Sequence, residues 1–151
     1  MKKQMRWILV LAVVALLSGA AFAQFAKTED AVKYRQSAMS VIGTHFSRMG
    51  AVVKGEAPYA KEAFEQNANI VAMLIPLPWD AFMVAGSDKG SGMKADALTQ
   101  KDKFMELSKA NQAEVAKLAT IAKGGDLNAI KPQFGAAGAS CKACHDMYRN
   151  K

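Results

Sequence analysis

Apolar residues along this chain recur at three- and four-residue steps, and no stretch alternates with period two for long enough to form a strand. From Thr28 onward, Val32, Arg35, Met39, Ile42, Phe46, Met49 and Val53 share one helical stripe. Thr28 is placed to cap this first helix, and Glu29 and Asp30 fall in its first turn, where the helix dipole favours negative charge. Lys54-Gly55-Glu56-Ala57-Pro58 breaks the pattern. A second stripe, Phe64, Ala68, Val71 and Ile75, predicts a helix from about Tyr59 that Pro76 and Pro78 end. Residues 79–94 hold Gly86, Gly90 and Gly92 and read as the longest irregular segment. A third helix starts near Asp96 and carries Phe104, Leu107, Asn111, Val115, Leu118 and Ile121 until Gly124-Gly125 stops it. Asp126 suits the N-cap of a fourth, with Leu127, Ile130, Phe134, Ala137, Cys141, Cys144 and Tyr148 on its stripe. Pro132 predicts a kink there, or a short first turn before the main helix restarts, leaving 19 residues to Asn150, roughly 28 Å of helix. Four amphipathic helices with mostly short connections predict an all-α, antiparallel up-down four-helix bundle around one core.

The first 23 residues follow a different rule. Lys2, Lys3 and Arg6 precede an unbroken apolar run from Trp7 to Leu17, and Ala21-Phe22-Ala23 places small residues at −3 and −1 before Gln24. That is the pattern of a cleaved secretory signal peptide, which assigns residues 24–151 to the mature domain and the protein to the periplasm. The run is shorter than the roughly 20 apolar residues of a spanning helix, so no stable membrane anchor is expected after cleavage. Without the leader's three bases, seventeen basic residues face thirteen acidic ones, a balance of +4. Those charges are interleaved along the chain, unlike the clustered basic face of a nucleic-acid binder. With 51% hydrophobic and 22% charged residues the chain is globular, and two cysteines are too few for a disulfide scaffold.

Both cysteines stand in one motif, Cys141-Lys142-Ala143-Cys144-His145. C-x-x-C-H is the attachment motif of c-type haem. Cysteines three apart on a helix lie on one side, so both thiols reach the two vinyl groups of a single porphyrin, while His145 presents an imidazole to the iron. One covalent haem c per chain is therefore expected. Two other chemistries compete for the same residues. A haem-free thiol–disulfide pair usually sits at a helix N-terminus after a strand, whereas this motif ends the last helix. A zinc site needs a fourth ligand, and His45 is the one spare histidine. No acid–base pair can be placed beside the iron, so an enzymatic role is not expected.

The mature chain resembles the class II c-type cytochromes, most closely the cytochrome c′ family. The resemblance is carried by Glu29–Ala38, Lys54–Tyr59, Leu77-Pro78-Trp79 with Phe82, and Gly138-Ala139-Ser140 running through the haem motif to Asp146-Met147-Tyr148-Arg149. It implies thioether attachment at Cys141 and Cys144, His145 as the proximal iron ligand, Arg149 over the proximal face, and Arg35 and Gln36 near the haem propionates. The alternatives from the residues alone are a helix-end charge for Arg149 and a solvated helix edge for Arg35 and Gln36. Trp79 would pack beside the haem or cap the core. The family also implies a homodimer formed through the first two helices, with apolar residues such as Phe46 and Val52 at its interface.

On the distal side the resemblance offers two outcomes. Family members carry either a bulky apolar residue that leaves the iron five-coordinate and open to NO or CO, or a methionine that ligates it. This chain has Met39 there. As an iron ligand its thioether would raise the redox potential and make the protein an electron carrier between redox partner proteins. As a packing residue it would leave a gas-binding site. His45, six residues on and about 240° around the helix, points away from that side, and Met49 lies almost three turns along.

Overall fold

A computed structural model describes residues 24–150, so the leader assigned to residues 1–23 lies outside the described residues. Six helices follow one another: α1 (Thr28–Val53), α2 (Lys61–Leu74), α3 (Trp79–Phe82), α4 (Asp96–Thr99), α5 (Lys101–Ala122) and α6 (Leu127–Tyr148). The four long ones form the four-helix bundle, and the short α3 and α4 lie within the α2–α5 connection. No strand occurs among the described residues, only an isolated antiparallel bridge between Met93 and Arg149.

Local chemistry explains most boundaries. Asp126 caps α6 as expected, its carboxylate accepting from the Asn128 N–H at 2.9 Å. Gly125, with φ +75°, makes the sharp turn between α5 and that cap. Its carbonyl accepts from the Tyr59 hydroxyl at 2.8 Å, which ties the α1–α2 loop to the α5–α6 loop.

Three expectations change. Thr28 is inside α1, not its cap: the N–H groups of Asp30 and Ala31 already bond to the Lys27 carbonyl, so Lys27 is the cap and no side chain assists it. The third helix is divided, because Gln100 leaves helical geometry (φ −107°, ψ 46°) between α4 and α5. Its side chain is instead held by the Tyr148 hydroxyl at 3.2 Å. Finally, α6 does not restart at Pro132 but runs continuously through it. Proline deprives the Asn128 carbonyl of its helical donor, but Asn128 and Pro132 are both exposed, so water can replace that bond.

The core draws on all four long helices: Ile42 and Met49 from α1, Phe64 and Val71 from α2, Phe104, Val115 and Leu118 from α5, and Ile130 and Ala137 from α6. The α5–α6 seam is the most extensive, followed by α1–α2 and α2–α5. The α1–α6 seam is much thinner. Phe46 contributes to that seam: its ring stacks on Phe134 of α6 with centroids 4.3 Å apart. Val52 likewise packs against the core, and both side chains stay partly exposed.

Phe104 joins the core to the haem-motif end of the bundle, its ring within 6 Å of Trp79, Phe82 and Tyr148. It is 1% exposed. Phe104→Ala is expected to cost about 3–5 kcal/mol, read as a lower denaturant midpoint in urea unfolding.

Candidate functional site

The thin α1–α6 seam opens into a cavity of about 550 Å³, within the range of roughly 300–1,000 Å³ typical of ligand sites. From α1 its wall takes Arg35, Gln36, Met39, Ile42, Gly43 and Phe46; from α6 it takes Cys141, Cys144, His145 and Tyr148, with Arg149 just past the helix end. Trp79, Phe82 and Phe104 add aromatic faces, and Asn111 reaches in from α5. Helical geometry explains the α1 side. Residues 35, 39, 42, 43 and 46 lie within one arc at 100° per residue, so a single helix face lines the opening.

All seven residues singled out as site candidates, with Trp79 beside them, therefore come together around one cavity. His45 does not. Its Nδ1 pairs with Asn67 Oδ1 across the α1–α2 seam at 2.7 Å, away from the wall that the motif lines. Met49 is buried in the core and is not among the lining residues.

Cys141 and Cys144 are free and half-buried. As thiols they are poorly suited to disulfide exchange, which needs a lowered pKa. Burial raises both, and Cys144 is pushed up to about 11 by burial first and by Cys141 second. For Cys141 burial also outweighs the opposing hydrogen bonds, of which that from Asn111 is foremost. His145 is held below its ordinary pKa by the surrounding protein and then by Arg149, against the pull of Asp146. Its neutral imidazole, the form that binds metals, is favoured.

Arg35 lines the cavity and is tied to the neighbouring loop. It is 2% exposed, and its terminal nitrogens turn into the loop between α3 and α4. Nη1 donates to Ser87 Oγ at 2.8 Å and to the Ala81 carbonyl at 3.3 Å. Nη2 donates to the Ser87 carbonyl and, at 2.7 Å, to Ser91 Oγ. The guanidinium also lies 4.7 Å from the centre of the Phe82 ring. Burial lowers its pKa, and Asp88 partly offsets this. Gln36, one position on, is exposed at the cavity rim. Arg149 is also exposed, but its backbone is stitched to the same loop: Lys94 N–H donates to the Tyr148 carbonyl at 2.8 Å and Asn150 N–H to the Gly92 carbonyl at 2.9 Å.

Sequence patterns did not point to Ser87, Ser91 or Met93, because serines and a methionine in a glycine-rich loop carry no motif. Asn111 did leave a trace, as a polar residue within an apolar stripe.

The cavity fits a haem on its own chemistry. Among the described residues, Trp79 Nε1 is the one buried side-chain nitrogen or oxygen without a hydrogen-bond partner. A buried N–H at the wall of a cavity calls for an acceptor, which a carboxylate-bearing ligand provides. Around it stand aromatic faces, two thiols on one side of a helix, and an imidazole next to them.

Fold and site together define a c-type haem protein built on a four-helix bundle. The chain belongs to the cytochrome c′ family, whose model matches residues 30–149, and it binds a single covalent haem c. It is 44% identical over 128 residues to cytochrome c′ of Alcaligenes xylosoxydans xylosoxydans, covering 85% of this chain and 99% of that relative. To cytochrome c′ of Rubrivivax gelatinosus it is 38% identical over 130 residues, covering 85% and 100%. Among solved structures, cytochrome c prime from Shewanella frigidimarina superimposes with a TM-score of 0.81 at 40% identity, covering 84% of this chain and 99% of that one. A nitric oxide complex of a mutant cytochrome c prime from Alcaligenes xylosoxidans superimposes with a TM-score of 0.78 at 44% identity, covering 84% and 98%.

Replacing Arg35 by methionine keeps the stem but removes the guanidinium's hydrogen bonds to Ala81, Ser87 and Ser91. Hydrogen bonds to a charged group contribute about 1.5–3 kcal/mol. Amide hydrogen exchange over residues 87–93 is expected to quicken in Arg35→Met, while exchange within α5 and α6 is little changed.

Proposed function

We propose that this protein is a periplasmic haem c protein whose iron binds a diatomic gas, NO or CO, at a crowded distal face. The observation that carries this reading is the meeting of Met39 from α1 and His145 from α6 at a single cavity. Relatives solved with nitric oxide and with carbon monoxide bound support the choice of ligand. The leader pattern of residues 1–23 supports export.

When bound, the haem supplies an iron that takes a gas ligand or an electron. Cys141 and Cys144 would hold the group by thioether bonds, so that it is retained without full burial. The neutral imidazole of His145 would be the proximal ligand, with Arg149 beside it. Trp79 Nε1 would donate to a propionate, and Gln36 at the rim is placed to do the same. Arg35 acts at one remove: it holds the loop that carries Ser91, Gly92 and Met93 against the cavity. Met39 decides selectivity. Its unbranched, flexible side chain fills space over the distal face yet can move aside for a ligand of two atoms, and it disfavours larger ones.

The same side chain supports a second reading. A thioether is a competent iron ligand, and Met/His ligation raises the potential of c-type cytochromes. In that case the protein carries electrons between redox partners and the distal site is closed.

The optical spectrum of the ferrous protein with and without CO separates the two. A broad high-spin spectrum that CO shifts is expected for gas binding; sharp low-spin bands indifferent to CO would mean that Met39, or another ligand, holds the sixth site and would favour electron transfer. Met39→Ala is expected to speed CO association at least about tenfold, which corresponds to relieving roughly 1.4 kcal/mol of crowding in the barrier. Flash photolysis of the CO complex measures it.

A further inference from the structure

The core stripe of α5 contains two buried polar side chains, Ser108 and Asn111. Ser108 is satisfied within its own helix, its hydroxyl donating to the Met105 carbonyl at 2.9 Å. The other buried amide of the bundle, Gln133 on α6, is satisfied by Glu114, whose carbonyl and carboxylate accept from it at 3.0 and 2.6 Å. Neither lines the cavity: Ser108 is bonded within α5, and Gln133 joins α6 to α5.

Asn111 behaves otherwise. It is 3% exposed and lines the cavity. Its amide Nδ2 donates to Ser140 Oγ at 2.9 Å and to Cys141 Sγ at 3.2 Å. The Ser140 hydroxyl is itself committed to the Ala137 carbonyl at 2.7 Å, so it meets Asn111 as an acceptor and fixes the amide's orientation. Packing does not require an asparagine here. A leucine would continue the stripe from Phe104 to Val115 and Leu118, and a buried amide is unfavourable unless its partners are good ones. The polar group is aimed at one of the two attachment sulfurs. Cys144 has no such donor and packs against the apolar core.

We infer that Asn111 is a positioning residue for the haem, holding the Cys141 sulfur by a fixed N–H···S hydrogen bond and biasing the iron toward its ferrous state. The inference rests on attachment through Cys141 and applies equally to a gas-binding and an electron-carrying iron. A thioether sulfur has lost its hydrogen and can only accept, so the Nδ2–H is the donor that remains to it. Two hydrogen bonds lock the amide with its positive end toward the haem edge. A dipole oriented in advance stabilises an added electron without reorganising, and hydrogen bonding beyond the axial ligands is one of the levers a protein has on haem iron.

The test uses the holoprotein and two variants of similar size, Asn111→Leu and Asn111→Asp. The pyridine haemochrome spectrum first establishes that both vinyl groups are saturated. Redox titration then reads the ferric-to-ferrous ratio at fixed poise, and resonance Raman reads the thioether C–S stretches. Asn111→Leu is expected to unfold no earlier than the parent protein, since an apolar replacement removes both the amide and its need for partners. It is also expected to shift the ratio about two- to tenfold toward ferric, the equivalent of one hydrogen bond, and to move one C–S band of the two. Asn111→Asp, which when ionised only accepts, is expected to shift the ratio further in the same direction. An Asn111→Leu protein with the parent's ratio and both C–S bands unmoved overturns the inference and leaves Asn111 as packing, whatever Asn111→Asp does. A parent haemochrome with one unsaturated vinyl group overturns something different: two-point attachment itself.

Discussion

The buried guanidinium of Arg35 is the interaction on which the site depends. An arginine taken out of water is costly unless its donors are met. Here the terminal nitrogens find Ala81, Ser87 and Ser91, and the flat face of the group rests over Phe82. Every one of those partners lies between residues 81 and 91. The cation thus ties α1 to a loop with little regular structure of its own. That loop in turn pairs with the end of α6 through Met93, Lys94 and Gly92. A continuous chain of contacts therefore runs from the distal helix, across the loop, to the turn that follows His145.

That arrangement explains how a bundle with a well-packed core tolerates an open seam. Three of the helix contacts, α5–α6, α1–α2 and α2–α5, carry most of the packing. The fourth, α1–α6, is closed at one level by Phe46 stacked on Phe134 and is held apart elsewhere around the cavity. The loop secures that side by hydrogen bonds in place of helix–helix burial. A covalently attached group suits such a seam, since retention does not then depend on complete enclosure.

Polar groups inside the molecule divide by what they serve. Ser108 and Gln133 satisfy neighbouring helical groups and maintain the bundle. Trp79 and Asn111 line the cavity, the first with a ring nitrogen that has no partner among the described residues and the second already bonded to a haem-attachment sulfur. Packing alone asks for neither polar group. Their polarity has its explanation in the ligand.

Periodicity alone established the four long helices, because a stripe recurring every three or four residues leaves no other way to bury Phe64, Val71, Phe104, Leu118 and Ile130 together. Asp126 as a cap and Gly125 as the turn before it were equally legible, since each depends only on adjacent backbone. C-x-x-C-H announced the cofactor, because attachment needs two thiols and an imidazole at fixed local spacing. Other features were decided only by the fold. The loop partners of Arg35 stand 46 to 56 residues away, and only the fold brought them within reach of its guanidinium. The stacking of Phe46 on Phe134 was likewise decided by the fold. The break at Gln100 and the unbroken passage through Pro132 depended on Tyr148 and on solvent, neither of which a local pattern records. Asn111 could be noticed as a polar residue in an apolar stripe, but its meaning lay 30 residues away at Cys141. Local geometry is written in neighbouring residues; the partner of a buried polar group is chosen by which helices the core brings together.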